Sequence, residues 1–233
     1  AALSALLAGP ACAQDAQATQ NLAREAKNPF STVVSVPLTY DANFGGGLGS
    51  KTQQVFYTQP LIPLSLNADW SLIARPMIPF STQPGMSAGE RSTSGLGDIQ
   101  VATFLTPART GKLVWGAGPV FQLPSATRQA LGQGKWGAGP TAAAIWYGEQ
   151  WSFGALVNNT WSFAGNSNRP AVSQMQLQPL INYNFRDNPD RVLSFSPTIT
   201  ADWKANGGER WTVPLSLGIG QLVKLGAQPV NLQ

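Results

Sequence analysis

The chain has no histidine, one cysteine and few charges. Its 233 residues carry 15 Lys+Arg and 11 Asp+Glu, or 11 % charged, against about a quarter in ordinary soluble chains. Each scarcity excludes a class. Without an imidazole, the hydrolases and acyl transferases that use His as a base lose that base. One Cys cannot make a disulfide scaffold, and a zinc site lacks its His and Cys ligands. No run of about 18 apolar residues exists, so no helix is expected to span a membrane. The carboxylates Asp69, Glu90, Glu149, Asp187, Asp190 and Glu209 fall in turns and loops rather than in facing pairs. The expectation is a chain without catalytic activity, metal or cofactor. Net charge is +4, but it reflects scarce acids. Lys and Arg stand singly, without the clustering that nucleic-acid binding needs, so nucleic acid is not expected as a partner.

What is present is aromatic and Gly-rich: 8 Trp, 10 Phe, 4 Tyr and 24 Gly. Such a chain is not disordered. Residues 1–13 (AALSALLAGPACA) read as the tail of a secretory signal, with small residues before a cut after Ala13. Residues 14–28 are a polar leader, and 29–233 form one β domain. From Pro29 onward, strand-length segments alternate apolar and polar residues with period two. In 172–185, Gln174, Gln176, Gln178 and Asn182 share one face, and Met175, Leu177, Pro179, Ile181 and Tyr183 the other. The segment 151–163 sets Ser152, Gly154, Asn158, Thr160 and Ser162 against Trp151, Phe153, Ala155, Val157, Trp161 and Phe163. Strands are expected at 31–43, 52–64, 70–80, 94–105, 112–123, 135–147, 151–163, 172–185, 191–203 and 210–221, with another starting near Val230.

Short turns alternate with longer loops, the plan of an antiparallel up-and-down transmembrane barrel. Because such barrels carry even strand counts, about 12 strands are expected when complete, with the C-terminal part missing here. The polar face holds Ser, Thr, Gln, Asn and Gly rather than the Lys and Glu of a soluble surface. It is therefore expected to face a lumen, with Arg75, Asp98, Asn158, Gln174, Gln176 and Gln178 as candidate wall or solute-path residues. Trp70, Trp136, Trp146, Trp151, Trp161, Trp203 and Trp211 lie near strand ends, as two membrane-interface belts would require. Arg75 and Asp98 are the clear charges inside strands. They are expected to pair, either to fix the wall or to contact solute.

Two features stand apart from the alternation. Pro60, Pro76, Pro119, Pro140, Pro179, Pro197 and Pro214 fall within expected strands, where they cannot donate to a ladder, so bulges or ladder gaps must recur. Trp-Gly-Ala-Gly-Pro occurs twice, at 115–119 and 136–140. Its glycines make either a smooth docking strip or a place where backbones crowd, and crowding is the favoured reading.

These motifs, with Gln59-Pro60-Leu61-Ile62-Pro63-Leu64, Gly95-Leu96-Gly97-Asp98-Ile99, Trp161-Ser162-Phe163-Ala164-Gly165, Gln178-Pro179-Leu180-Ile181-Asn182-Tyr183 and Trp211-Thr212-Val213-Pro214-Leu215, resemble the bacterial outer-membrane family called "putative MetA-pathway of phenol degradation", whose members are often labelled transporter. The resemblance covers nearly all of 28–233. It implies an outer-membrane barrel, sometimes linked to aromatic-compound catabolism, and it brings no established functional residues. Three functions follow as expectations. The first is a channel for passive uptake of small molecules, hydrophobic or aromatic ones among them, with outer-membrane lipid and a small solute as partners. The second is a non-conducting barrel acting through loops 81–93 and 124–134. The third is a soluble exported ligand-binding barrel. The sequence does not choose an oligomeric state.

Overall fold

A computed structural model describes residues 2–6, 35–46, 51–85, 91–109, 111–188, 190–225 and 228–232. The polar leader at 14–28 lies outside these residues. The described chain is all-β apart from one short 3-10 turn at Gln129–Leu131.

Every expected strand from 31–43 to 210–221 has its counterpart. The strands are β1 (Ala2–Leu6), β2 (Ser35–Gly46), β3 (Lys51–Thr58), β4 (Ile62–Ser65), β5 (Trp70–Gln83), β6 (Thr93–Leu96), β7 (Ile99–Pro107) and β8 (Leu113–Leu123). They continue with β9 (Lys135–Tyr147), β10 (Trp151–Gly165), β11 (Ser173–Asn184), β12 (Arg191–Phe195), β13 (Ile199–Asp202), β14 (Trp211–Thr212), β15 (Gly218–Leu225) and β16 (Gln228–Leu232). Four expected strands are each divided in two. The segment 52–64 is β3 plus β4, 94–105 is β6 plus β7, 191–203 is β12 plus β13, and 210–221 is β14 plus β15. Residues 2–6, placed in an export signal by the sequence, stand as β1 between β2 and β16.

All pairings are antiparallel, and the bonded order is β10-β9-β8-β7-β5-β3-β2-β1-β16-β15-β12-β11-β13-β14. Strand β10 is also bonded to β11 from Trp151↔Tyr183 to Trp161↔Ser173, which brings the order back on itself. The short turns are made by local side chains. In the turn before β5, the Asn67 carboxamide oxygen accepts the amides of Asp69 (2.9 Å) and Trp70 (2.8 Å), an Asx turn.

The two faces of the sheet have inverted polarity. On β10, Ser152, Leu156, Asn158 and Thr160 are buried, while Trp151, Phe153, Val157, Trp161 and Phe163 are exposed. Likewise Val114, Gly116 and Val120 of β8 are buried, and Trp115, Ala117, Pro119 and Phe121 are exposed. The inner face is not uniformly polar. Ile73, Phe104, Val114, Ala143, Ile145 and Leu156 form an apolar cluster with Leu61, Ala102 and Val120. Ile73, Phe104, Val114 and Ile145 each lie within a few residues of a short turn, so the cluster fills the inner space towards that end.

The prolines are accommodated by ladder gaps, and most of them stand in facing pairs. Pro119 of β8 is directly opposite Pro140 of β9. The pairs Thr58↔Ile78 and Ile62↔Ala74 bracket Pro60 and Pro76, which therefore face each other. The pairs Leu177↔Ile199 and Ile181↔Phe195 bracket Pro179 and Pro197 in the same way. Pro214 lies between β14 and β15 without a proline opposite. A proline pair concentrates two missing N–H donors at one place in the wall.

Candidate functional site

At mid-height the inner face turns polar. Tyr57 of β3, Arg75 and Met77 of β5, Gln100 of β7, Leu156 and Asn158 of β10 and Gln176 and Gln178 of β11 line one cavity of about 130 Å³, together with Gln59, Ala102 and Thr198. Strands β7 and β10 are not neighbours in the sheet, so only its curvature brings their side chains to one space. The Arg75 Nη2 donates to Gln59 Oε1 at 2.9 Å. The Asn158 Nδ2 donates to Gln176 Oε1 at 3.2 Å, and Gln178 Nε2 reaches the Ser196 carbonyl at 3.5 Å. Asn158 is 5 % exposed, and its Oδ1 has no partner among the described residues. Period two explains the assembly: Asn158 pairs with Gln176 in register, and Leu156 with Gln178, so these four side chains share a face.

Four of the six wall candidates thus meet, namely Arg75, Asn158, Gln176 and Gln178. Gln174 lies further along β11 and lines a separate cavity of about 290 Å³ with Arg169 and Asp202. Asp98 corrects an expectation, because it does not pair with Arg75. Arg75 is in register with Ala102, and Asp98 lies four residues further, about 13 Å along a strand. It sits at a bulge where β5 advances from Met77 to Phe80 while the opposite chain retreats from Gln100 to Leu96, one residue more. Its carboxylate accepts the amides of Ala126 (3.1 Å) and Gln133 (2.6 Å). Asp98 therefore pins the loop 124–134. The Arg169 guanidinium holds the same loop through the carbonyls of Gln129 and Gly132.

The Trp-Gly-Ala-Gly-Pro repeat is a site of backbone crowding. A Cβ on Gly118 would meet the Thr103 carbonyl oxygen at 2.2 Å, and one on Gly139 the Asn159 carbonyl oxygen at 1.7 Å. Both glycines sit at ladder gaps, between Ala102↔Val120 and Leu105↔Ala117 on one side and between Asn158↔Thr141 and Trp161↔Ala138 on the other. Side-chain hydroxyls span them: Thr103 Oγ1 donates to the Pro119 carbonyl (2.9 Å) and Thr141 Oγ1 to the Val157 carbonyl (3.2 Å).

All seven Trp candidates are exposed. Near the short turns, Trp146 and Trp151 both stack on Phe153 (6.4 and 5.6 Å), and Trp151 meets Tyr183 at 4.8 Å. Trp70 meets Trp115 edge-on at 6.3 Å. Trp115 is an aromatic of this belt that the sequence reading missed. The repeat itself held the signal, because on antiparallel neighbours the same motif sends Trp115 to the turn end and Trp136 to the loop end. At the loop end Trp203 meets Trp211 at 5.8 Å, and its Nε1 donates to Asn159 Oδ1 at 2.7 Å.

These features define an all-β, antiparallel protein with a polar and apolar packed inner face and an apolar outer one. The family model described as "Putative MetA-pathway of phenol degradation" matches residues 52–188, and the chain belongs to this family. The match contains both Trp-Gly-Ala-Gly-Pro copies and the mid-height cavity apart from Thr198. The Trp211–Leu215 motif lies beyond it. No curated protein and no solved structure matches the chain.

Proposed function

We propose that this protein is an outer-membrane β-barrel that carries small molecules, aromatic ones among them, passively across the bacterial outer membrane. The inverted polarity is the observation that supports this reading best. Trp, Phe and Leu face out, while Ser152, Asn158, Thr160, Asn182 and Ser194 are buried within. A hydrocarbon surround rewards that arrangement, and water penalises it. The family's link to phenol degradation supports an aromatic solute. On this reading the chain has no catalytic role, its partners are outer-membrane lipid and the solute, and passage depends on the width and hydrogen bonding of the wall.

The apolar cluster around Ile73, Phe104 and Ile145 favours a second reading for ions: a wall filled at the turn end conducts them poorly. The test is planar-bilayer conductance of the full-length protein, with and without phenol, after salt washes of the outer-membrane fraction. Resistance to salt and a steady conductance that phenol blocks is the expected result for an open path. A silent bilayer with verified insertion transfers the weight to the non-conducting barrel. Release by salt alone overturns both membrane readings and leaves the soluble binding barrel.

A further inference from the structure

The mid-height cavity has a charge imbalance. It holds one guanidinium and several carboxamides, and none of the described residues lining it is acidic. Arg75 carries five N–H donors; among the described residues its hydrogen bond goes to one neutral acceptor, Gln59 Oε1, and its electrostatic neighbour is the Tyr57 phenol. Tyr57 interacts with Asp41 on β2, but Asp41 does not line the cavity. A guanidinium lining a cavity of neutral side chains favours an anionic partner that can take two parallel N–H bonds. The opposite wall supplies amides able to join them. Asn158 and Gln176 can exchange donor and acceptor by turning both amides over, which offers N–H to the cavity and keeps their mutual bond. Met77 and Leu156 supply an apolar surface in the same space.

We propose that this cavity binds a small carboxylate with an apolar body, an aromatic acid being the fitting class, with Arg75 as its anchor. The carboxylate accepts from Arg75 and the facing amides, and the ring rests on Met77 and Leu156. This names the solute class for the transport reading and rests on it for physiological meaning, but binding itself is measurable without transport. The experiment is calorimetric titration of the full-length protein in detergent micelles with benzoate, phenol and acetate. Benzoate is expected to bind at least about tenfold more tightly than phenol, because only the carboxylate satisfies the charged fork. It is also expected to exceed acetate, which lacks the ring. Arg75→Gln should lose at least about tenfold in benzoate affinity, with phenol little changed. Equal affinities for benzoate and phenol in the wild type overturn the proposal, whatever the variant's folding. So does a well-folded Arg75→Gln that binds benzoate as before. Benzoate binding together with release from membranes by salt would keep the site and reject the transport reading.

Discussion

Gly118 and Gly139 are the positions where a single methyl group matters most clearly. Each lies beneath a carbonyl of the neighbouring strand, at distances no real Cβ tolerates. Gly118→Ala and Gly139→Ala are therefore expected to destabilise the fold by about 1–3 kcal/mol each, the usual cost of overpacking. Gly207, where an added methyl group would meet nothing within 4 Å, is the control, and Gly207→Ala should change little. The temperature at which the folded band converts to the unfolded one on a gel measures all three. A Gly139→Ala as stable as wild type would show that the Asn159 carbonyl does not lean over this strand. The repeat was visible in the sequence, and so was the crowding it suggested. Its cause was not, because the crowding atoms belong to Thr103 and Asn159 on other strands.

Among elements, the loop 124–134 shows how far sequence pattern reaches. Period two located the strands on both sides of it, since alternation is a local property. The four divided strands were not legible as divided, although the prolines marked three of the breaks. Whether a proline ends a ladder or sits in a gap depends on what lies opposite, and Pro179 faces Pro197 from the other arm of its hairpin, 18 residues away in sequence. The expected Arg75–Asp98 pair failed for a related reason. Opposite charges on nearby strands suggested a bond, but the bulge at Gly97-Asp98 turns Asp98 to the loop amides of Ala126 and Gln133. Hydrogen bonds to an ionised acceptor contribute about 1.5–3 kcal/mol each. Asp98→Ala should therefore loosen this loop while leaving the strands intact. Trypsin cleavage after Arg128 is expected to accelerate by at least about tenfold, as a loss of more than about 1.4 kcal/mol of local closure implies. Unchanged cleavage would mean that the other ties on the loop, those of Arg169, Ser125 and Thr127, hold it without Asp98.

For the whole molecule, the question is which solvent the outer face meets. Among the described residues, 25 large hydrophobic side chains are exposed, from Leu215 at 88 % to Trp70 at 37 %. Soluble monomers seldom show contiguous apolar patches beyond a few hundred Å², whereas an apolar band flanked by aromatics is the plan of a barrel in lipid. The aromatics fall into two groups. Trp70, Trp115, Trp146 and Trp151 lie at the turn end, and Trp136, Trp161, Trp203 and Trp211 at the loop end. If both groups sit at bilayer interfaces, depth-dependent quenching separates them from the hydrocarbon centre. Lipids brominated near the headgroup should quench tryptophan fluorescence strongly, and lipids brominated at the chain terminus weakly, with the full-length protein in vesicles. The contrast comes from all eight tryptophans of the chain, so one substitution will not abolish it. Removing Trp146 and Trp151 together should reduce headgroup-level quenching without raising it at the centre. Equal quenching at both depths would place the rings throughout the hydrocarbon and break the two-belt arrangement. No quenching at either depth would leave the apolar face to be covered by something other than lipid.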